Sequence, residues 1–219
     1  MKSAVRRRRK RSKSLSSSAS STAEHNPIDW IGAATLFARA EKIFRKGQPA
    51  KHIYKVESGC ISTYIRLNGD RRLICAFYFP GDYFGLEMRS KYCISGEAII
   101  PSLVRVIDRK RLISRIADNP IVAKYMLDIT SAELQRAQNH SLILRGSVNE
   151  RVAKFLSEMA RISRRNEIDL LMSRRDIADH LNLTIESVSR AFARLKKMSA
   201  ISFSTPRRIE VHARKRLAA

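Results

Sequence analysis

The stretch that decides the fold reads SRRDIADHLNLTIESVSRAFARLKKM and spans residues 173–198. Ser173 and Asp176 have the spacing of a capping box, which predicts that a helix begins at this point. Asn182 tolerates the left-handed backbone conformation that ends a helix, and Thr184 is a residue type that caps a new one. The stretch therefore predicts two short helices joined by a tight turn.

The second of these helices is predicted to be amphipathic. Its buried stripe follows helical spacing and consists of Ile185, Val188, Phe192 and Leu195. Glu186, Ser189 and Arg190 fall together on another face, which points outward. The segment AISFSTPRRIEVHA at 200–213 indicates a hairpin that turns near Pro206. Helix, turn, helix and hairpin form the winged helix-turn-helix plan, in which the second helix enters the major groove of DNA.

Glu186 raises a question, because an acid repels the phosphates that a basic helix attracts. It stands one turn before Arg190, so the two side chains could form an i,i+4 ion pair worth about 0.3–0.5 kcal/mol. Alternatively, Glu186 accepts a hydrogen bond from a cytosine amino group while Arg190 reads a guanine. The acid then penalises wrong base pairs. A nonspecific nucleic-acid-binding protein needs no such residue, so Glu186 favours sequence-specific recognition.

The composition fits a protein that meets a polyanion. Of 219 residues, 43 are Lys or Arg and 20 are Asp or Glu, which gives a formal net charge of +23. Residues 1–13 carry eight basic and no acidic side chains, and a serine-rich segment follows. We predict that residues 1–26 form a disordered tail that contacts DNA nonspecifically or is simply solvated. An organelle transit peptide is a third interpretation, because such peptides are rich in Arg and Ser.

Residues 27–117 are predicted to form an antiparallel sandwich or barrel. Glycine and proline recur here at short intervals between runs rich in β-branched and aromatic residues. The candidate strands are HIYKVE at 52–57, CISTYIRL at 60–67, RRLICAFYF at 71–79 and LVRVID at 103–108. The tripeptide NGD at 68–70 predicts a hairpin turn, because Asn and Gly tolerate positive φ.

Residues 118–145 are predicted to form one long helix. Asn119 provides an N-cap and Pro120 the first helical residue, and the helix reaches about Leu144. A seam of leucines and small side chains follows the 3.5-residue period of packed helices and consists of Leu127, Thr130, Leu134, Ala137 and Ser141. Such a seam favours a homodimer, whereas the alternative is a helix that only covers the sheet.

Residues 146–219 are predicted to form the DNA-binding unit. A helix precedes the helix-turn-helix, because VNERVAKFLSEMARIS at 148–163 has helical periodicity. Its apolar stripe consists of Val148, Val152, Phe155 and Met159.

Catalysis and metal binding find little support in the sequence. The five histidines are scattered, and no nucleophile–histidine–acid cluster, phosphate-binding glycine loop or His-Glu-x-x-His motif occurs. We therefore predict that the protein is not an enzyme and holds no metal. No apolar run approaches the roughly 20 residues that cross a bilayer, so we expect no membrane partner and a cytoplasmic location.

The three cysteines, Cys60, Cys75 and Cys93, are widely spaced and odd in number, which fits a reducing cytosol. Cys75 lies within an apolar run and is expected to pack in the core. Cys60 and Cys93 border turns, where either thiol could be redox-sensitive or could simply pack.

Three segments carry a resemblance to a known family: GDRRLICAFYFPGDYFGLE at 69–87, YMLDITSAELQRAQNH at 125–140 and MSRRDIADHLNLTIESVSR at 172–190. Over roughly residues 40–212, the chain resembles bacterial transcription regulators of the CRP/FNR family, and in particular its FixK-type branch. The resemblance implies an α+β fold with an N-terminal β-roll, a long dimerisation helix and a C-terminal winged helix.

The resemblance also implies how the protein meets its partners. The Glu-x-x-Ser-Arg triad that reads bases in the family falls on Glu186, Ser189 and Arg190. Contacts to DNA phosphates fall on Ser173, Arg174, Thr184 and Ser187. We expect a homodimer on double-stranded DNA with a palindromic TTGA-type operator, and contact with RNA polymerase. The resemblance further implies activation of genes for oxygen-limited respiration or nitrogen fixation.

Two departures from the family bear on cofactors. Relatives that bind cyclic AMP carry an Arg-Ser or Arg-Thr pair that grips the cyclic phosphate, and here Tyr92 and Cys93 occupy those positions. Oxygen-sensing relatives hold an iron–sulfur cluster on N-terminal cysteines, and residues 1–59 contain none. The sequence therefore predicts no cofactor.

Overall fold

The N-terminal part of the chain is a β-roll of two antiparallel sheets. The computed structural model describes residues 28, 31–67, 71–87, 89–163, 165–205 and 207–212. The strands of the roll are β1 (Ala33–Phe37), β2 (Lys42–Phe44), β3 (His52–Ser58), β4 (Ile61–Arg66), β5 (Arg72–Tyr78), β6 (Tyr83–Phe84), β7 (Ser95–Ala98) and β8 (Ser102–Asp108). They pair in the orders β1-β8-β3-β6 and β2-β7-β4-β5. The four candidate strands are confirmed as β3, β4, β5 and β8, while the predicted turn at 68–70 lies outside the described residues.

The turn between β3 and β4 is tight enough to require glycine. Gly59 adopts a φ of +97°, and a Cβ there would lie 2.2 Å from the hydroxyl oxygen of Ser102. Ser102 also accepts a hydrogen bond from the Cys60 N–H at 3.1 Å. This turn takes the chain from one sheet to the other, since β3 pairs with β8 and β4 pairs with β5 and β7.

Three helices follow the β-roll: α1 (Arg109–Asp118), α2 (Pro120–Ile143) and α3 (Val148–Ser163). The predicted start of the long helix α2 is confirmed, because the Asn119 side chain accepts hydrogen bonds from the N–H groups of Ile121 and Val122. Its end lies within one residue of the predicted Leu144. The short helix α1, capped by Asp108, was not predicted. Within the described ranges, no helix is long and apolar enough to span a membrane.

The C-terminal part is a winged helix-turn-helix. Its helices are α4 (Arg174–Leu181) and α5 (Ile185–Lys197), and its antiparallel sheet contains β9 (Glu167–Asp169), β10 (Ile201–Thr205) and β11 (Arg208–Val211). The predicted hairpin is confirmed as β10 and β11, although Pro206 itself lies outside the described residues. The strand β9 was not predicted and pairs with β11, so the wing is one strand wider than the sequence indicated.

An apolar core holds this unit together. The predicted stripe of α5 is buried, apart from Ile185, which is half-buried. In α3, Val152, Phe155 and Met159 are buried as predicted. Val148 is 37% exposed, so its assignment to the stripe was wrong. It is the first residue of α3, where the helix has not yet reached the core.

The β-roll and the winged helix-turn-helix meet where β5 lies against α4. Arg72, at the start of β5, donates from Nε to Asp179 of α4 at 2.7 Å and forms a second ion pair with Asp176. The same guanidinium lies 3.4 Å from Glu97 of β7. Three carboxylates from two domains therefore converge on one arginine.

His180 of α4 is buried at the same junction. Its Nδ1 lies 3.1 Å from the backbone oxygen of Ile74 in β5, and its ring stacks on His140 of α2 with centroids 4.1 Å apart. Burial, and then the neighbouring His140, lower the pKa of His180 to about 3. The imidazole is therefore neutral at physiological pH.

We expect mild acid to destabilise the protein through His180. Below its ordinary pKa of 6.5, the unfolded chain binds a proton on this imidazole, whereas the folded chain does not until the pH approaches 3. The free energy of unfolding therefore falls as the pH drops through this window. At about pH 5 the loss is roughly 2 kcal/mol, as measured by urea unfolding at that pH and near pH 7.5.

Two variants identify the group responsible. His180→Gln cannot titrate and should show a smaller loss of stability between the two pH values. His212→Gln changes an exposed histidine and should keep the full pH dependence. An unchanged pH dependence in His180→Gln would contradict the assignment.

Candidate nucleic-acid interface

The helix α4 begins and ends, and the helix α5 begins, at the residues that the sequence predicted. The Ser173 hydroxyl accepts from the Asp176 N–H at 3.1 Å, and the Asp176 carboxylate accepts from the Ser173 N–H at 2.8 Å. Asn182 ends α4 in the left-handed region, with φ 51° and ψ 52°. The Thr184 hydroxyl accepts from the Ser187 N–H at 3.1 Å and caps α5. These caps fix which residues form the first two turns of α5.

The outer face of α5 carries three polar side chains. Glu186, Ser189 and Arg190 are all exposed, while the apolar stripe of the same helix packs into the core. Their predicted outward position is confirmed, and their base-reading roles stay predictions. The second helix of a helix-turn-helix lies in the major groove, so a face of this kind can meet base edges.

The carboxylate of Glu186 is ionised at neutral pH. Its pKa is lowered by a hydrogen bond from its own backbone N–H, then by the Thr184 hydroxyl, and further by the charges of Arg190 and Arg175. Among the residues that the structure describes, no ion pair joins Glu186 to Arg190, although Arg190 lies near enough for its charge to lower this pKa. The carboxylate therefore faces solvent as a hydrogen-bond acceptor that no salt bridge occupies.

Three of the four predicted phosphate-contacting residues lie at the start of a helix. Ser173 and Thr184 are exposed at the two helix starts, and Ser187 is half-buried in the first turn of α5. Helix N-termini attract phosphate, so these positions suit the predicted role, which stays a prediction.

Arg174 differs from the other predicted phosphate-contacting residues. Its guanidinium carbon lies 3.4 Å from the ring centroid of Phe192 and 5.8 Å from that of Phe203. Burial lowers its pKa, and its Nη1 is buried without a hydrogen-bond partner among the described residues. This position argues that Arg174 packs between α5 and β10 and does not contact phosphate.

The exposed cation at the start of α4 is the next residue, Arg175, which was not predicted. It lies close enough to Glu186 to favour the charged form of that carboxylate. The sequence signal that could have identified Arg175 was the pair of consecutive arginines at 174 and 175. Successive residues are separated by about 100° around a helix, so only one of the two can face the core.

The predicted dimer seam on α2 faces solvent in the single chain. Its members Leu127, Thr130, Leu134, Ala137 and Ser141 are all exposed, with Leu127 at 66% and Leu134 at 60%. Other residues of α2 contact the roll, since the Tyr78 hydroxyl donates to Glu133 at 2.6 Å. The helix therefore covers the sheet with one face and presents the apolar seam with another.

Tyr92 occupies the interior of the β-roll. Its ring stacks on Phe44 with centroids 4.1 Å apart, and Tyr54 stacks on Phe84 at 5.1 Å in the same cluster. The Tyr92 hydroxyl donates to the His52 backbone oxygen at 2.7 Å and accepts from the His52 N–H at 3.2 Å. Tyr92 is therefore a buried and hydrogen-bonded phenol, and the match of this position to a phosphate-gripping residue stays a prediction.

Of the three cysteines, only Cys75 lies in surroundings other than those expected. Cys60 is fully buried and burial raises its thiol pKa, which argues against a redox role. Cys93 is exposed, and its redox role stays a prediction. Cys75 is half-buried instead of lying in the core, because it faces the cleft between β5 and α2. Among the described residues, no group of three or more His, Cys, Asp or Glu side chains is arranged to hold a metal ion.

A β-roll, a long helix and a winged helix-turn-helix together define a class, the DNA-binding transcription regulators with a sensor-type domain. Comparison with known families agrees, since residues 23–119 match the cyclic nucleotide-binding domain and residues 150–219 match the Crp-like helix-turn-helix domain. The chain belongs to the CRP/FNR family of transcription regulators, and it is FixK-like. Both the predicted resemblance and the predicted α+β fold are confirmed.

Two relatives and one solved structure illustrate this membership. The nitrogen fixation regulation protein FixK of Azorhizobium caulinodans is 39% identical over 82% of this chain and 75% of its own length. The transcriptional activatory protein AadR of Rhodopseudomonas palustris is 32% identical over 82% of this chain and 77% of its own length. The structure of FixK2 from Bradyrhizobium japonicum is 38% identical and has a TM-score of 0.81, covering 85% of this chain and 96% of that chain. Both of the relatives compared by sequence are named as regulators.

The neighbouring arginines of α4 should respond differently to replacement. Arg174→Ala should lower the free energy of unfolding by about 1–2 kcal/mol, because it removes a shielded cation–π contact. Arg175→Ala should change that free energy by less than about 0.5 kcal/mol but weaken DNA binding on every sequence tested. Urea unfolding and DNA titration measure the two effects. The reverse pattern would show that Arg174 is the phosphate-contacting residue, as the sequence predicted.

Proposed function

We propose that the protein is a homodimeric, sequence-specific activator of transcription that binds a palindromic operator with TTGA-type half-sites. The observation that carries the proposal is the joint exposure of Glu186, Ser189 and Arg190 on α5. With α5 in the major groove, these side chains lie closest to the base edges.

Each of the three side chains suits a different base edge. Arg190 can bond to both O6 and N7 of a guanine, and ionised Glu186 can accept from the amino group of a cytosine. Ser189 can contact a thymine or an adenine. Glu186 also repels phosphates, so it reduces affinity for DNA in general and raises the penalty for a wrong base pair.

Contacts with the phosphate backbone supply much of the affinity. Ser173 and Thr184 cap the helices and lie at their positive ends, and Arg175 adds a full charge beside them. Residues 1–26 lie outside the described residues, so only their sequence bears on the proposal. Their basic side chains would add attraction that depends on salt and not on sequence.

A palindromic operator requires two copies of the reading helix related by two-fold symmetry. The seam on α2 offers the surface for this dimer, since Leu127 and Leu134 leave an apolar row in water. Ala137 and Ser141 are small and allow the two helices to approach closely.

The regulator works without a cyclic nucleotide in this proposal. Tyr92 and Phe44 take up space inside the roll, and a buried tyrosine cannot supply the charged fork that grips a cyclic phosphate. The proposed regulator also carries no iron–sulfur cluster, because residues 1–59 contain no cysteine that could provide a thiolate ligand.

Activation and the physiological role rest on the relatives. FixK of Azorhizobium caulinodans is named for the regulation of nitrogen fixation, and AadR of Rhodopseudomonas palustris is named as a transcriptional activatory protein. We place this chain in the control of nitrogen fixation or oxygen-limited respiration. Activation would proceed through contact with RNA polymerase.

Replacement of the two charged reading residues should give different signatures. Arg190→Ala should weaken operator binding by about 1–3 kcal/mol and relax the preference at one guanine. Glu186→Ala should lower specific binding or leave it level, while nonspecific binding stays level or rises. Competitive binding to operators substituted at each half-site position, at fixed salt, measures both.

Arg194→Ala is the matched control, because it removes the same charge from an exposed position one turn later in α5. It should lower affinity without changing the ranking of the operators. If Glu186→Ala also left that ranking unchanged, the glutamate would be only a surface charge and the proposed reading role would fail.

Cyclic nucleotides should neither bind nor change DNA affinity. Calorimetric titration with cyclic AMP and with cyclic GMP should give no binding at physiological concentrations, because the Tyr92 cluster occupies the roll. Operator titrations with and without each nucleotide should coincide. A micromolar dissociation constant for either nucleotide would contradict this expectation.

A further inference from the structure

Two consecutive arginines, Arg71 just before β5 and Arg72 at its start, reach from the β-roll toward the helix-turn-helix. The second of them, Arg72, forms ion pairs with Asp176 and Asp179 of α4. Only 23% of its side chain is exposed, so these ion pairs are partly shielded from salt. These ion pairs fix β5 against α4, and they thereby fix the backbone position of Arg71, the residue before Arg72.

That residue, Arg71, is exposed beside the turn between α4 and α5. Its Nη2 lies 3.4 Å from the Asn182 side-chain oxygen, and its backbone oxygen accepts from the Leu67 N–H at 2.9 Å. The Asn182 amide is uncharged, and Arg71 forms no ion pair with any residue that the structure describes. Its charge therefore faces solvent at the edge of the DNA-binding unit.

Arg71 lines an open cleft together with residues that the proposed function places on DNA. Thr184, Ser187 and Glu186 from the first turn of α5 line this cleft, and so does Arg175 of α4. A phosphate that approaches the start of α5 therefore meets Arg71 and Arg175 at the same cleft.

The charges around the cleft favour an anion. Asp179 also lines it, but its carboxylate is already paired with Arg72. Ionised Glu186 lines the cleft as well and repels a phosphate, but the two cations Arg71 and Arg175, which no ion pair among the described residues neutralises, outnumber it. The start of α5 adds the positive end of its helix dipole.

We propose that Arg71 of the β-roll contacts a DNA phosphate beside the groove that α5 enters, so that both domains bind the operator. The inference rests on the proposed function, because it requires α5 in the major groove. The contact goes to a phosphate because Arg71 lies beside the start of α5 and not on its base-reading face, and such contacts position a protein without reading sequence.

The salt dependence of DNA binding tests this contact. Each lost phosphate contact lowers the slope of log K against log salt by about 1, and a symmetric dimer loses two. Arg71→Ala should therefore flatten the slope by about 2 and weaken binding equally on a TTGA-type palindrome and on mixed-sequence DNA. Arg45→Ala is the matched control, because Arg45 is exposed just after β2, at the opposite edge of the same sheet from β5. It should leave the slope unchanged.

Two further variants separate a phosphate contact from a structural role. Arg71→Lys keeps the charge and should keep most of the slope. Asn182→Gly removes the amide that Arg71 contacts, at a φ of 51° that glycine adopts freely, and should keep the slope as well. A flattened slope in Asn182→Gly would show that Arg71 acts by holding the turn, and the proposal would be wrong.

Operators with one uncharged methylphosphonate in each half-site locate the contact. At the contacted position, the modification should weaken wild-type binding but not weaken Arg71→Ala further, because both changes remove the same pair. The proposal fails if no position behaves in this way, or if Arg71→Ala and Arg45→Ala have the same slope.

Two other outcomes have separate meanings. Reduced transcription by Arg71→Ala with unchanged DNA binding would overturn the phosphate contact and point to an acidic protein partner. Failure of the proposed function itself would appear in the wild type, as equal affinity for the palindrome and for mixed-sequence DNA.

Discussion

The position of the helix-turn-helix relative to the β-roll depends on the ion pairs of Arg72. This arginine joins β5 to Asp176, a residue 104 positions further along the chain. One oxygen of the Asp176 carboxylate faces Arg72, while the other accepts from the Ser173 N–H and caps α4. A single carboxylate therefore starts the first helix of the helix-turn-helix and ties that helix to the β-roll. Loss of Arg72 would leave two shielded acids unpaired, which is unfavourable in a medium of low dielectric constant.

The same contact continues as a row of charges across one sheet of the roll. Lys42 of β2 pairs with Glu97 of β7, and Glu97 lies 3.4 Å from Arg72 at the other edge. Neutral His180 packs beside this row between β5 and α2. The surface of the roll thus contacts the DNA-binding unit directly. Because β5 holds α4 in place, it also sets the orientation of α5, which follows α4.

The interior of the roll has a different role. Phe44, Tyr54, Phe84 and Tyr92 form a stacked cluster inside the roll. Aromatic side chains bury large apolar areas, so the cluster stabilises the roll by its own packing. Tyr78 extends from this interior to Glu133 of α2, which connects the cluster to the helix that carries the proposed dimer seam.

The sequence by itself determined the features that act over a few residues. The capping box of α4, the left-handed Asn182 and the Asn119 cap of α2 were all predicted, because their partners lie within four positions. The four longest strands followed from runs of β-branched and aromatic residues between turns, and the outward face of α5 followed from helical periodicity. Short elements such as α1 and β9 carry too weak a pattern to be seen without the surfaces on which they pack. Only the tertiary structure decided that Arg174 stacks on Phe192 while Arg175 faces solvent, and that β5 holds α4. These outcomes depend on which distant surfaces meet, and the free energy of such contacts is not encoded in any local pattern.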